Sequence, residues 1–214
     1  MPHKTKVRVF INNLFFAFLA QTVSLILSIV ISLLLPKLLG VTQYGYWQLF
    51  LFYTSYVGFL LFGFTNGIYL RMGGKELSEF PPSLYKSQFC LMILFEIFLA
   101  ALIILFQFRF ESDSSRQFVL ATAAVYMVTF DAGNFFSYIF QAANQTKIHS
   151  KSVLIEKTLF LGSVVVLLFL RTDTYREYII FYLVCNCCSM IYLCVMSRNI
   201  LINFCVINKF RVIA

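Results

Sequence analysis

The fold of this chain is decided by the stretch FINNLFFAFLAQTVSLILSIVISLLL, which covers residues 10–35 and contains no charged side chain. A helix needs about 20 predominantly apolar residues to cross the hydrocarbon core of a bilayer, so this stretch is long enough to span one. It is also too long for the core of a signal peptide, and no small-residue cleavage pattern follows it. We therefore expect an uncleaved transmembrane helix.

Five more apolar segments meet the same length criterion. They cover approximately residues 46–70, 89–108, 118–143, 153–170 and 178–196. These segments are continuous apolar blocks without the alternating pattern of a membrane β-barrel, so helices that satisfy their own backbone groups are expected. Only 12% of the 214 residues are charged, about half the share found in soluble domains. The sequence predicts an all-α integral membrane protein with six transmembrane helices in one bundle.

The basic residues are distributed unequally between the two sides of this predicted bundle. The side with both termini and the loops after the second and fourth spans holds 11 lysines and arginines, and the other side holds 5. Cytoplasmic loops carry an excess of Lys and Arg, so both termini are predicted to be cytoplasmic. We attribute the net charge of +8 to these loops and not to nucleic-acid binding. Residues 1–196 then form the bundle, and residues 197–214 form a cytoplasmic tail or a linker.

Two acidic residues, Glu96 and Asp131, lie near the centres of the third and fourth spans. An acid at the bilayer centre costs about 2.5–3.5 kcal/mol on insertion scales, which usually indicates a function or neutralisation. Asp131 begins a polar stripe with Asn134, Tyr138 and Gln141, all within about a quarter of the helix circumference. The stripe predicts a water-filled cavity, although a purely structural role stays open, and for Glu96 the two interpretations are equally open.

A second polar stripe lies on the first span. It consists of Gln21, Ser24, Ser28 and Ser32. We expect it to face the bundle interior because lipid offers no hydrogen-bond partner, and close helix packing through small residues is the simpler explanation. Glu156 and Lys157 are placed about one turn inside the cytoplasmic end of the fifth span, where the lysine could extend its amine to the interface.

The sequence contains none of the motifs that hold a nucleotide or a catalytic zinc ion. His3 and His149 are placed outside the spans without a set of partners, and the six cysteines are interpreted as small packing residues rather than metal ligands. We therefore predict no catalytic residue, no metal site and no cofactor.

Three stretches are distinctive in their order and spacing: LLGVTQYGYWQLF (Leu38–Phe50), GFTNGIYLRMGGKEL (Gly63–Leu77) and FQAANQTKIHSKSVLIEK (Phe140–Lys157). Across five of the six spans they resemble the bacterial polysaccharide flippases, which are the O-antigen and capsule exporters of the multidrug/oligosaccharidyl-lipid/polysaccharide superfamily. The resemblance implies a transporter of two six-helix bundles around a central cavity. This chain resembles the N-terminal bundle alone, about half of the family's usual extent.

The function implied by this resemblance is the translocation of lipid-linked oligosaccharide repeat units across the bacterial inner membrane, for surface polysaccharide and lipopolysaccharide biosynthesis. The substrate would be of the undecaprenyl-pyrophosphate type. A homodimer or a separately encoded second half would complete the cavity. A drug or cation antiporter of the same superfamily and an inactive truncated fragment are the alternatives.

The resemblance and the polar residues in the spans together indicate a substrate or ion pathway. Its candidate residues are Asn66, Arg71, Glu96, Asp131, Asn134, Gln141 and Lys157. Arg71 would attract the pyrophosphate at the cytoplasmic rim, with Lys157 further in, and Asn66 would hold the end of the second span against a neighbouring helix. Glu96 or Asp131 would couple transport to a proton or another cation.

Overall fold

The computed structural model describes residues 3–61, 63–75 and 82–210, and side chains for residues 11–61, 63–75 and 85–198. This part of the chain forms seven helices and contains no strand. They are α1 (His3–Ser55), α2 (Val57–Leu60), α3 (Phe64–Met72), α4 (Pro82–Phe110), α5 (Ser114–Ala142), α6 (Thr146–Phe169) and α7 (Tyr175–Phe210). Five helical stretches within it are long and apolar enough to cross a membrane, the first covering Ile11–Leu60. The prediction of an all-α membrane bundle is confirmed.

Helix α1 has 53 residues, which at 1.5 Å per residue would make it about 80 Å long if it were straight. The hydrocarbon core of a bilayer is only about 30 Å thick. Gly40 interrupts the helix with φ 69° and ψ 170°. Two of the predicted spans therefore lie on either side of this break.

Hydrogen bonds show that the chain reverses its direction at the Gly40 break. The Asn13 amide donates to the Asn144 carbonyl (2.8 Å) between α5 and α6, which we call the N-terminal end of the bundle. The Gln43 side chain instead accepts from the Tyr175 amide (3.2 Å) at the start of α7, which we call the opposite end. Gly74 then bonds to Ala142 (3.1 Å), back at the N-terminal end. The described residues thus make six passes through the bundle.

Gly40 is the position where a side chain should be most disruptive to this reversal. Its backbone lies in a region that is essentially reserved for glycine, and a Cβ would meet no other atom within 4 Å, so any penalty would come from the backbone itself. We expect Gly40→Ala to lower the free energy of unfolding by about 1–3 kcal/mol. Thermal unfolding in detergent would measure this change.

The matched control is Gly45→Ala, also in α1, where a Cβ again meets nothing within 4 Å and no positive φ is involved. Alanine favours a helix over glycine by up to about 1 kcal/mol, so Gly45→Ala should be neutral or stabilising. Equal effects of the two substitutions would show that the reversal does not depend on Gly40.

The second predicted span, residues 46–70, is not the continuous helix that was expected. Helix α1 ends at Ser55, the short α2 follows, and α3 starts after Gly63, which has φ 76°. Just before the first break, the hydroxyls of Thr54 and Ser55 bond to the backbone carbonyls of residues 51 and 52. Such local bonds compete with regular helix geometry, which explains why an apolar run does not guarantee an unbroken helix.

The second span ends at Gly73 and Gly74. Helix α3 ends at Met72, and Gly74 adopts φ 84°. Residues 76–81, which form about a third of the predicted loop between residues 70 and 89, lie outside the described residues. Helix α7 continues to residue 210, through most of the segment 197–214 that the sequence assigned to a tail or linker, and residues 211–214 are not described.

The opposite end of the bundle is organised around Asp113. Its carboxylate caps α5 by accepting from the Ser115 amide (2.8 Å) and also accepts from the Tyr46 hydroxyl (3.0 Å). The bond from Ser115 lowers the pKa of Asp113 below its usual range, assisted by Tyr46 and the nearby charge of Arg116. Asp113 thus joins the start of α5 to the second half of α1.

The expected orientation of the serine stripe on α1 is wrong. Gln21, Ser28 and Ser32 are exposed on the surface of the bundle, and Ser24 is half-buried. This half of α1 is instead anchored by larger apolar residues. Those buried are Ala20, Leu27, Ile31, Leu35 and Leu39. Ile31 and Leu35 belong to the same core cluster as Phe160 and Val164 of α6, so the apolar side of α1 faces the bundle.

Candidate functional site

A cavity of about 280 Å³ with a mixed polar and apolar lining, which we call the polar cavity, lies between α5, α6 and α7 and extends from the middle of these helices toward the N-terminal end. Its polar lining residues are Thr129, Asn134, Ser137, His149, Ser152, Glu156, Lys157, Asn186 and Ser189. Tyr126, Phe130 and Tyr182 form an aromatic part of the wall. A concentration of hydrogen-bonding groups inside an apolar bundle makes this cavity the candidate functional site.

Each pair of the three helices is joined by a polar contact at the cavity. The Thr129 hydroxyl of α5 donates to Asn186 Oδ1 of α7 (2.9 Å). The Ser189 hydroxyl of α7 donates to the Ser152 carbonyl of α6 (3.1 Å). These bonds fix the cavity wall in position without occupying the Asn186 amide nitrogen as a donor.

The third contact runs through Ser137, whose Oγ lies 2.6 Å from Nδ1 of His149. The Gln141 amide donates to the same hydroxyl (3.0 Å). With a donor already on its oxygen, Ser137 can give its own proton to Nδ1, which suits a neutral His149 ring. His149 is therefore part of α6 and has partners, contrary to the expectation of an unpaired residue outside the spans.

Lys157 lies further from the start of its helix than the predicted span indicated. Helix α6 starts at Thr146 and not near residue 153, so Lys157 is eleven residues, or about 16 Å, from the beginning of the helix. Its amine lies 3.5 Å from Glu156 Oε1 and 5.7 Å from the centre of the Tyr182 ring. The lysine thus lines the cavity.

Glu96 and Asp131 form a separate polar feature between α4 and α5. Both side chains are completely buried, and none of their four carboxyl oxygens has a hydrogen-bond partner in the described part of the chain. The two carboxyls are close enough to interact electrostatically, and the Asn134 amide is near Asp131. An ionised carboxylate in such surroundings is costly, so this arrangement is unfavourable for folding alone.

The predicted polar stripe on α5 is therefore divided between different neighbours. At 100° per residue Asp131 lies about 60° from Asn134 around the helix, and only Asn134 of these two lines the cavity. Gln141 does not line the cavity, but its amide donates a hydrogen bond to Ser137, which does. The Tyr138 ring packs edge-to-face with the Tyr69 ring, with 6.2 Å between the ring centres. Asp131 does not lie beside the cavity that its stripe predicted.

Asn66 and Arg71 are exposed on α3, away from the polar cavity. The hypothesis that Asn66 holds this helix against a neighbour is wrong, because the buried face of α3 consists of Thr65, Ile68 and Met72. At 100° per residue, Asn66 lies about 100° around the helix from Thr65 and about 160° from Ile68, so its side chain is on a different face. Arg71 lines a different cavity, of about 420 Å³, between α3 and α4.

Sequence reasoning missed most of the cavity wall, although a helical signal was present. On α6 the lining residues His149, Ser152 and Glu156 follow the spacing i, i+3, i+7, and on α7 Asn186, Ser189 and Leu193 repeat it. This spacing marks a single face on each helix. On α6 it could have been found by searching for polar residues three and seven positions apart from residue 149 onward, and on α7 by the pair Asn186 and Ser189.

Comparisons of this chain with models of known protein families, with curated proteins and with solved structures gave no match. The resemblance to polysaccharide flippases therefore depends on the three quoted stretches alone.

Proposed function

We propose that this protein translocates lipid-linked oligosaccharide repeat units of the undecaprenyl-pyrophosphate type across the bacterial inner membrane, for the biosynthesis of surface polysaccharide and lipopolysaccharide. The observation that carries the proposal is the polar cavity between α5, α6 and α7. A sugar head group that enters lipid loses its hydrogen bonds to water at a high cost in free energy. Hydroxyl and amide groups inside the bundle would replace those bonds during the crossing.

The distribution of basic residues supports an orientation for this carrier. The N-terminal end of the bundle belongs to the side with 11 lysines and arginines, so the positive-inside rule places it in the cytoplasm. The cavity then lies in the cytoplasmic half of the membrane, where a substrate made in the cytoplasm would enter. Translocation makes and breaks no covalent bond, so we propose a carrier and not an enzyme.

The volume of the cavity indicates how it would be used. Pockets for small ligands usually measure about 300–1,000 Å³, and this cavity of about 280 Å³ is slightly smaller. A repeat unit of several sugars exceeds this volume. The transport cycle would therefore have to open the cavity by moving α5, α6 and α7 relative to one another, with the structure representing a closed state.

A drug or cation antiporter of the same superfamily is the second candidate, and the Glu96–Asp131 pair favours it. Two buried carboxyls whose oxygens have no hydrogen-bond partner among the described residues are suited to binding a proton or another cation that is released in a different conformation. In the flippase proposal the same pair would couple sugar movement to an ion gradient.

Complementation would test the proposed function. In a bacterial strain that lacks this gene, lipid-linked repeat units should accumulate on the cytoplasmic leaflet, and expression of the protein should reduce this accumulation. Asn134→Leu removes an amide from the cavity wall and should lower transport at least tenfold. Asn66→Leu makes the same chemical change on the exposed face of α3 and should leave transport unchanged.

Both variants must be expressed at the level of the unaltered protein for the comparison to hold. No accumulation in the deletion strain, together with lost resistance to cationic drugs, would contradict the flippase proposal and favour the antiporter. Equal transport by the two variants would show that the cavity is not on the substrate pathway.

A further inference from the structure

The polar cavity contains one cation and one anion that are already paired with each other. Among its described lining residues Lys157 and Glu156 carry the full charges, and the Lys157 amine is 3.5 Å from Glu156 Oε1. The same amine lies over the Tyr182 ring, and the hydrogen bond between Ser137 and His149 can form with a neutral imidazole ring. The wall of the cavity is therefore close to neutral overall.

A diphosphate would be poorly matched to such a wall. Sites for phosphate groups usually supply unpaired arginines or lysines, whose charge-assisted hydrogen bonds compensate for the loss of water. Binding a diphosphate beside Lys157 would require the lysine to leave Glu156, and the carboxylate would then repel the incoming anion. This geometry is inconsistent with the role that the sequence resemblance assigned to Lys157.

The uncharged donors and acceptors of the wall are instead suited to hydroxyl groups. The Asn186 oxygen is engaged by Thr129, which leaves its amide nitrogen to donate, and the Asn134 amide can both donate and accept. A sugar hydroxyl can donate one hydrogen bond and accept two, so it can use either kind of partner. The cavity therefore offers complementary bonds without requiring any charge on the ligand.

The aromatic part of the wall adds a flat apolar surface. The Tyr126 ring stacks on Tyr182 with 5.6 Å between ring centres and on Phe130 with 5.2 Å. Aromatic faces are negative, so they are unfavourable for anions and favourable for the slightly positive C–H groups of a sugar ring. A ring-shaped neutral ligand would thus use both the aromatic and the amide parts of this wall.

We propose that the cavity binds the uncharged sugar part of the substrate and excludes its diphosphate, which stays outside the cavity. This inference rests on the proposed function, because it assigns the parts of the same substrate. It changes the expected role of Lys157 from a phosphate ligand to the partner that neutralises Glu156.

The single tryptophan of the chain gives a built-in reporter of binding. The Trp47 ring is buried and meets the Tyr182 ring nearly at right angles, with 5.8 Å between centres. A ligand that displaces Tyr182 should therefore alter tryptophan emission. Detergent-purified protein would be titrated with free glucose or N-acetylglucosamine and, separately, with inorganic pyrophosphate at constant ionic strength.

We expect a saturable change with at least one sugar and none with pyrophosphate at the same concentrations. Asn134→Leu should weaken sugar binding at least tenfold, whereas Asn66→Leu should not change it. The double variant Glu156→Gln/Lys157→Gln removes both charges from the wall and keeps a hydrogen-bonding side chain at each position, so saturable sugar binding should persist and pyrophosphate should still not bind. Circular dichroism and size-exclusion chromatography would establish that each variant is folded.

Saturable pyrophosphate binding, or no binding of any tested sugar, would overturn the inference. The binding experiment and the complementation experiment can fail independently of each other. Sugar binding without transport in the complementation experiment would contradict the flippase proposal alone, and transport without sugar binding to the purified protein would contradict the assignment of the cavity alone.

Discussion

Lys157→Gln by itself is expected to lower the free energy of unfolding by about 3–5 kcal/mol, which is the usual cost of breaking a buried ion pair by removing one partner. The side chains of Lys157 and Glu156 are only 23% and 13% exposed, so water screens this pair weakly. Removing the lysine leaves Glu156 as an uncompensated charge between three helices. Chemical unfolding in detergent micelles would measure the loss.

The double variant Glu156→Gln/Lys157→Gln is expected to recover most of that stability, because it leaves no unpaired charge. A double-mutant cycle would isolate the energy of the pair from the effect of each substitution alone. The control is Arg116→Gln, which removes an ion pair with Glu111 and Asp113 at the opposite end. The Arg116 side chain is 59% exposed, so this change should hardly affect the melting temperature.

A single variant as stable as the unaltered protein at neutral pH would contradict the pair. Single effects that simply add in the double variant would contradict the coupling between the two residues.

Glu96→Met is expected to stabilise the protein and to abolish most of its transport. An acid at the bilayer centre costs about 2.5–3.5 kcal/mol on insertion scales, and Glu96 is completely buried with both carboxyl oxygens unpartnered in the described part of the chain. Methionine has a similar length and no polar oxygen to leave unpaired. We expect a gain of about 2 kcal/mol in the free energy of unfolding, with transport reduced at least tenfold.

The opposite signs of these two effects are the informative part of the prediction. A residue that is retained despite its cost to stability is expected to serve function, whereas a structural residue should lose both properties together. The matched control is Gln107→Leu on the same helix, since Gln107 is also buried and its side-chain oxygen has no hydrogen-bond partner within the described ranges. This control should stabilise the protein without changing transport.

A destabilised Glu96→Met protein would show that the carboxyl has a structural role. A stabilised protein with full transport would show that the Glu96–Asp131 pair does not couple ion movement to the substrate. Melting temperature in detergent and the complementation experiment would be measured on the same set of variants, so that each outcome is assigned to one of these explanations.

The class of this protein and the positions of its spans followed from the sequence because membrane insertion depends on local composition. A long uncharged block such as residues 10–35 has no stable alternative to a helix in lipid, whatever its neighbours are. The end of α3 before Gly73 was predictable for the same reason, since it depends on backbone preferences of adjacent residues. The unusual burial of Glu96 and Asp131 was also indicated by their depth within apolar blocks.

Only the tertiary structure decided which side of each helix faces the protein. In water the apolar face of a helix marks the interior, but lipid is as apolar as leucine, so hydrophobic periodicity does not distinguish the two sides of a membrane helix. This is why the serine stripe of α1 and Asn66 proved to be exposed. It is also why the cavity formed by α5, α6 and α7, with Lys157 paired inside it, depended on packing between distant parts of the chain.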